Sequence, residues 1–115
     1  MSNVKPIIVK DEDTGMEFTL EFNRESVRFA ESRGFKVQEI SDYPMTRLYE
    51  LWFYAFRMHH KNVARAKTDA LLDSLGGVTD APDGLFQRLG ELYSEGFNTL
   101  TDKSENENPT VTVTF

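Results

Sequence analysis

Between Met45 and Met58 ten of fourteen side chains are apolar or aromatic, and the stretch LYELWFYAFRMHHKN closes this run on two adjacent histidines. A soluble chain can carry such a segment as a buried core helix, a ligand pocket or a contact surface, and a membrane chain can carry it as an anchor. The anchor is excluded by Arg47, Glu50 and Arg57, which interrupt the run well short of the ~20 apolar residues that a bilayer requires. Arg47, Glu50, Tyr54, Arg57 and Lys61 recur at intervals of three and four. On a helix they form one narrow polar seam in an otherwise apolar surface, which is the pattern of a central helix. The spacing predicts that helix over about 43 to 60, with Ser41 or Asp42 as its cap and Pro44 in the first turn, where a missing N–H leaves no bond unmade.

The segments on either side supply what such a helix packs against. In MEFTLEF, Met16, Phe18, Leu20 and Phe22 alternate with Glu17, Thr19 and Glu21, the period of a half-buried strand. PIIVK upstream and the DEDTG turn complete a predicted β-hairpin over residues 5 to 22. Asn23 suits an N-cap and Gly34 a stop, giving a short helix over 24 to 33. Residues 35 to 40 read as a short strand or an extended connector. A third helix is expected from Asn62, with Ala64, Thr68, Leu71 and Leu75 in one stripe and Leu72 beside it, ended by Gly76 and Gly77. A fourth, over 82 to 100, places Leu85, Phe86, Leu89, Leu92, Tyr93, Phe97 and Leu100 inward. Gly90 and Gly96 within it imply either close approach by another element or simple tolerance. The expected architecture is therefore α+β: an N-terminal β-hairpin, about four α-helices, and a short C-terminal strand or flexible tail. Residues 1–100 form the expected single domain, and 101–115 a polar linker (TDKSENENP) followed by the β-prone TVTVTF.

At 115 residues the chain suits one domain with a real core, and its nine Phe provide more large apolar surface than a disordered chain carries. The formal net charge of -6 and pI near 4.9 disfavour phosphate backbones and anionic lipid as partners. Without cysteine there is neither a disulfide nor a thiolate metal site. The N-terminus lacks the apolar core of a signal peptide, so a cytoplasmic location is expected.

No catalytic group and no cofactor is expected. His59 and His60 diverge by ~100° on a helix, so they do not chelate as an i, i+4 pair does. Asp11, Glu12 and Asp13 lack the later ligands of a calcium loop and read as a solvated turn. Gly76 and Gly77 are not followed by the residues of a phosphate loop. Arg57, Lys61, Arg65 and Lys67 cluster at the junction of the second and third helices and read either as a solvated corner or as a basic contact patch for an acidic protein segment. The alternative is a small helical nucleic-acid-binding regulator that uses this corner as a helix-turn-helix.

Residues 44 to 77 and 85 to 93 resemble the small tail assembly chaperones of long-tailed phages and prophages of Gram-positive bacteria. The likeness rests on Leu51, Trp52, Phe53, Tyr54, Ala55, Phe56, Arg57, His59 and His60, then Thr68, Asp69, Leu71, Leu72 and Asp73, then Leu89, Leu92 and Tyr93. The hairpin-first layout fits as well. The resemblance implies a non-enzymatic helper of tail morphogenesis that acts in the host cytoplasm and is not retained in the mature virion. It would bind the tape measure protein, keep that protein's apolar helices soluble, and help tail tube protein assemble around them. Self-association is left open. On that reading the surplus apolar surface of the second and fourth predicted helices puts Trp52, Tyr54, Leu85, Leu92 and Phe97 at the border of the partner site.

Overall fold

The structure, a computed structural model, describes residues 5–98, with side chains through residue 96. Strands β1 (Ile7–Lys10) and β2 (Glu17–Leu20) pair antiparallel in the register Ile7↔Leu20, Ile8↔Thr19, Val9↔Phe18, Lys10↔Glu17. Five helices follow: α1 (Arg24–Ser32), α2 (Pro44–Ala55), α3 (Arg65–Ser74), the single turn α4 (Gly77–Asp80) and α5 (Leu85–Asn98), with a 3₁₀ turn at Val37–Glu39. This is the expected α+β architecture. The predicted tail at 101–115 lies outside the described residues.

Local chemistry accounts for most boundaries. Asn23 closes a reciprocal capping box: its Oδ1 accepts from the Ser26 N–H at 2.8 Å, and its own N–H donates to Ser26 Oγ at 2.8 Å. Met16, expected to face inward with Phe18 and Leu20, is exposed, because pairing stops at Glu17 and leaves it on the turn. The connector at 35 to 40 is a 3₁₀ turn rather than a strand, with Phe35 buried ahead of it. Arg47 holds that turn against α2, donating to Glu39 through Nη2 (2.6 Å) and Nε (3.1 Å) and to Glu50 through Nη1 (2.8 Å). The α2 cap position is taken by Tyr43, without a side-chain cap bond, instead of Ser41 or Asp42.

Helix α2 is the axis of the molecule, in contact with α1, α3, α4 and α5. Leu51, Trp52, Ala55 and Phe56 are fully enclosed, and each large side chain buried this way contributes roughly 1.5–3 kcal/mol. Trp52 anchors α3 by donating Nε1–H to the Thr68 carbonyl at 2.7 Å. Tyr54 packs between the Phe29 and Phe35 rings, and Tyr93 on α5 packs against Phe22 and Phe35. Gly96 lets α5 close on this layer: a β-carbon there would lie 2.8 Å from Phe22 Cβ and 3.1 Å from Val27 Cγ2. Gly90 has no such neighbour within 4 Å among the described residues and is simply tolerated.

The second helix is shorter than its apolar pattern predicts, ending at Ala55 rather than near residue 60. Beyond it the chain coils through residues 56–64, and α3 begins at Arg65 after Ala64 instead of at Asn62. A competing set of hydrogen bonds ends the helix. The Ala55 carbonyl accepts from the Glu21 N–H at 3.0 Å, and His60 Nε2 accepts from the Thr19 N–H at 2.9 Å. Residues 55–60 therefore cover the outer edge of β2, satisfying N–H groups that a two-stranded sheet leaves unpaired.

Candidate functional site

The two histidines belong to this edge. His60 is half-buried with its ring edge-on to Phe18, centroids 5.1 Å apart. Burial, reinforced by the neighbouring His59, pushes its pKa below the ordinary value. The neutral ring that results is the form whose Nε2 accepts from Thr19, since a doubly protonated imidazole has no acceptor. His59 is exposed and meets Glu21 Oε1 at 2.9 Å. Among the described residues no three His, Cys, Asp or Glu side chains converge as metal ligands.

The basic patch expected from Arg57, Lys61, Arg65 and Lys67 divides. Lys67 points away to Asp11, which is buried beneath the hairpin turn and not solvated as its sequence context suggests. The Asp11 carboxylate also accepts from the Asp13 N–H and Thr14 Oγ1, each at 3.1 Å. The Lys67 hydrogen bond leads the effects that hold its pKa below the usual carboxylate range.

The other three cations stay together around two half-buried rings. Arg57 lies over the Phe29 ring, 3.8 Å from its centroid, and Arg33 lies over the same ring at 4.9 Å. Arg65 sits 5.5 Å from the Phe53 centroid and pairs with Asp69 at 3.1 Å. Between them opens a cleft of about 110 Å³ lined by Phe29, Phe53, Arg57, His60, Lys61 and Val63. Among the described residues Arg57 Nε is buried without a hydrogen-bond partner, an arrangement that typically costs on the order of 1–3 kcal/mol. Phe29, Arg33 and Val63 were not among the expected site residues. The i, i+4 spacing of Phe29 and Arg33 is the one signal in the sequence that joins any of them.

The expected apolar border does not form as a surface. Trp52 and Leu92 are fully enclosed and Tyr54 is 7% exposed, because the short helices and hairpin cover α2 more completely than their lengths suggest. These three are core residues, a correction to their placement at a partner site. Leu85 is half-buried beside a shallow depression shared with Ile7, Pro82, Gly84 and Arg88. The side chain of Phe97 lies outside the described residues. Exposed large apolar groups occur elsewhere: Ile8, Met16, Val37, Tyr43, Met45 and Leu75. Val37, Tyr43 and Met45 fall within nine residues of sequence, where the 3₁₀ turn meets the start of α2, and the half-buried Ile40, Leu48 and Tyr49 nearby in sequence pack against the core. Tyr49 is held by a hydrogen bond from its hydroxyl to Asp73 on α3, which, ahead of burial, raises its pKa.

The described molecule is thus a compact α+β domain with an apolar ledge at the head of α2 and a cation-rimmed aromatic cleft near its other end. Among its described residues no helix is long and apolar enough to cross a membrane. The chain belongs to the family described as a domain of unknown function (DUF5055), whose model matches residues 1–115. No curated protein and no solved structure matches it.

Proposed function

We propose that the protein is a non-enzymatic tail assembly chaperone that binds an apolar helical segment of a tape measure protein in the cytoplasm and keeps it soluble until tail tube protein covers it. The observation that carries this reading is the apolar ledge. Tyr43 is 59% and Met45 62% exposed at the head of a helix whose remainder is core. Isolated exposed apolar residues are ordinary, but Tyr and Met gathered on a rigid helix start are the residue types that concentrate in contact surfaces. The backbone beneath the ledge is pinned from two sides, by Arg47 to Glu39 and by Tyr49 to Asp73, so little backbone ordering is needed on binding. The acidic net charge opposes aggregation of the loaded complex. The sequence resemblance supports the same role through different residues, since its aromatic and histidine string builds the core and the β2 edge.

Co-expression with a tape measure protein tests the reading. The soluble yield of the long chain is expected to rise with the native protein and to fall back with Tyr43→Glu/Met45→Glu. The double variant is expected to melt like the native protein, because both sites are exposed. An unchanged soluble yield with the native protein would refute the function, and full rescue by the double variant would refute the ledge as its surface.

The helix-turn-helix alternative loses its geometry. Nine residues, 56–64, separate α2 from α3, where such motifs use a turn of about three or four. Arg57 and Lys61 lie on that connection instead of on a recognition helix.

A further inference from the structure

The cleft between α1, the end of α2 and the start of α3 is a second feature, independent of the ledge. Its floor is aromatic, Phe29 and Phe53, its lining includes the cations Arg57 and Lys61, and Arg33 and Arg65 lie over the same two rings. Only Arg65 of these four has a carboxylate partner among the described residues, Asp69. An acidic protein that gathers four cations around two rings has built a local field opposite to its overall charge. Guanidinium groups lying over rings keep N–H groups available for an oxygen acceptor, and among the described residues Arg57 Nε is a buried donor without one.

We propose that this cleft receives an acidic, apolar segment of a partner protein, with one large apolar side chain entering beside Phe29 and Phe53 and a carboxylate of the same segment meeting Arg57 and Lys61. Charge complementarity selects the carboxylate, and the cleft volume of about 110 Å³ suits one side chain. A short peptide places its charge within the reach of the patch, which salt limits to about 10 Å. A nucleic-acid strand would extend its phosphates beyond the patch over a surface of net charge -6, which disfavours it. The inference rests on the cleft alone and stands or falls apart from the tail-assembly reading.

The test is titration of the full chain, followed by amide NMR shifts, with four probes: a peptide centred on Glu-Leu-Phe-Glu, its Gln-Leu-Phe-Gln counterpart, a single-stranded oligonucleotide and inorganic phosphate. The Glu peptide is expected to shift residues 29, 33, 53, 57 and 61 and to bind at least about tenfold more tightly than the Gln peptide, with an affinity that falls as salt rises. Lys61→Glu, at an exposed position, is expected to weaken it by about tenfold or more with an unchanged melting temperature, and Arg57→Gln to weaken it as well. Equal binding of the two peptides, indifference to Lys61→Glu, or stronger shifts of the same residues by oligonucleotide or phosphate would overturn the proposal.

Discussion

His60 shows how much one side chain can decide here. Its Nε2 is the acceptor for the Thr19 N–H, and its pKa is depressed in the folded protein, so the unfolded chain binds the proton more readily. Stability from this group is complete above the ordinary histidine value of 6.5 and is lost as pH falls through it toward the lower folded value. Melting temperature is therefore expected to decline as pH drops from 7 toward 5, and His60→Gln, which retains an acceptor but does not titrate, is expected to flatten that decline. Asp11 has the same sign at lower pH. Its contribution is present above 3.8 and disappears as acid protonates the carboxylate that Lys67 holds. The glycines of α5 give a matched pair. Gly90→Ala is expected to stabilise by roughly 0.5–1 kcal/mol, as alanine does in an open helical position. Gly96→Ala is expected to destabilise by about 1–3 kcal/mol through overpacking against Phe22 and Val27, and denaturant midpoints read both. Sequence alone left both glycines open between close approach and tolerance, because the deciding neighbour of Gly96 lies far away along the chain.

At the scale of elements, what depended on local pattern was legible and what depended on long-range partners was not. The hairpin, the Asn23 cap and the centrality of α2 follow from alternation, capping chemistry and a nearly all-apolar helix surface. The early end of α2 does not, since its apolar spacing continues through residue 58. The helix stops there because the Ala55 carbonyl and the His60 ring are taken by strand β2, more than thirty residues earlier in the chain. The aromatic and histidine string that looks like a site is in large part a structural clasp between helix and sheet. Trp52→Phe tests the axis itself: it removes the indole donor from the Thr68 carbonyl, which keeps its bond within α3, and is expected to lower stability by about 0.5–1.5 kcal/mol, measured by chemical denaturation, before any cavity effect is added.

For the whole molecule, the surplus of apolar surface expected from sequence is smaller than composition suggests and sits in a different place. The α2 rings expected at the partner border, Trp52 and Tyr54, are enclosed, because four helices and the hairpin pack around α2 as a single axis. What remains outside, besides the scattered Ile8, Met16 and Leu75, is the head of that axis, Tyr43 and Met45 with Val37 in the preceding 3₁₀ turn, and the cationic cleft near its other end. The ledge was not visible as a surface in the sequence, and of the cleft only its cations Arg57, Lys61 and Arg65 were: burial of one residue depends on all the others, and Phe29 meets Arg57 only in the fold. The client-binding account now depends on that ledge. Amide hydrogen exchange of the protein, alone and in complex with a co-purified tape measure protein, tests it directly. The account predicts slowed exchange over residues 37–49 upon binding, and a complex that leaves exchange there unchanged, or the failure of any complex to form, would contradict it.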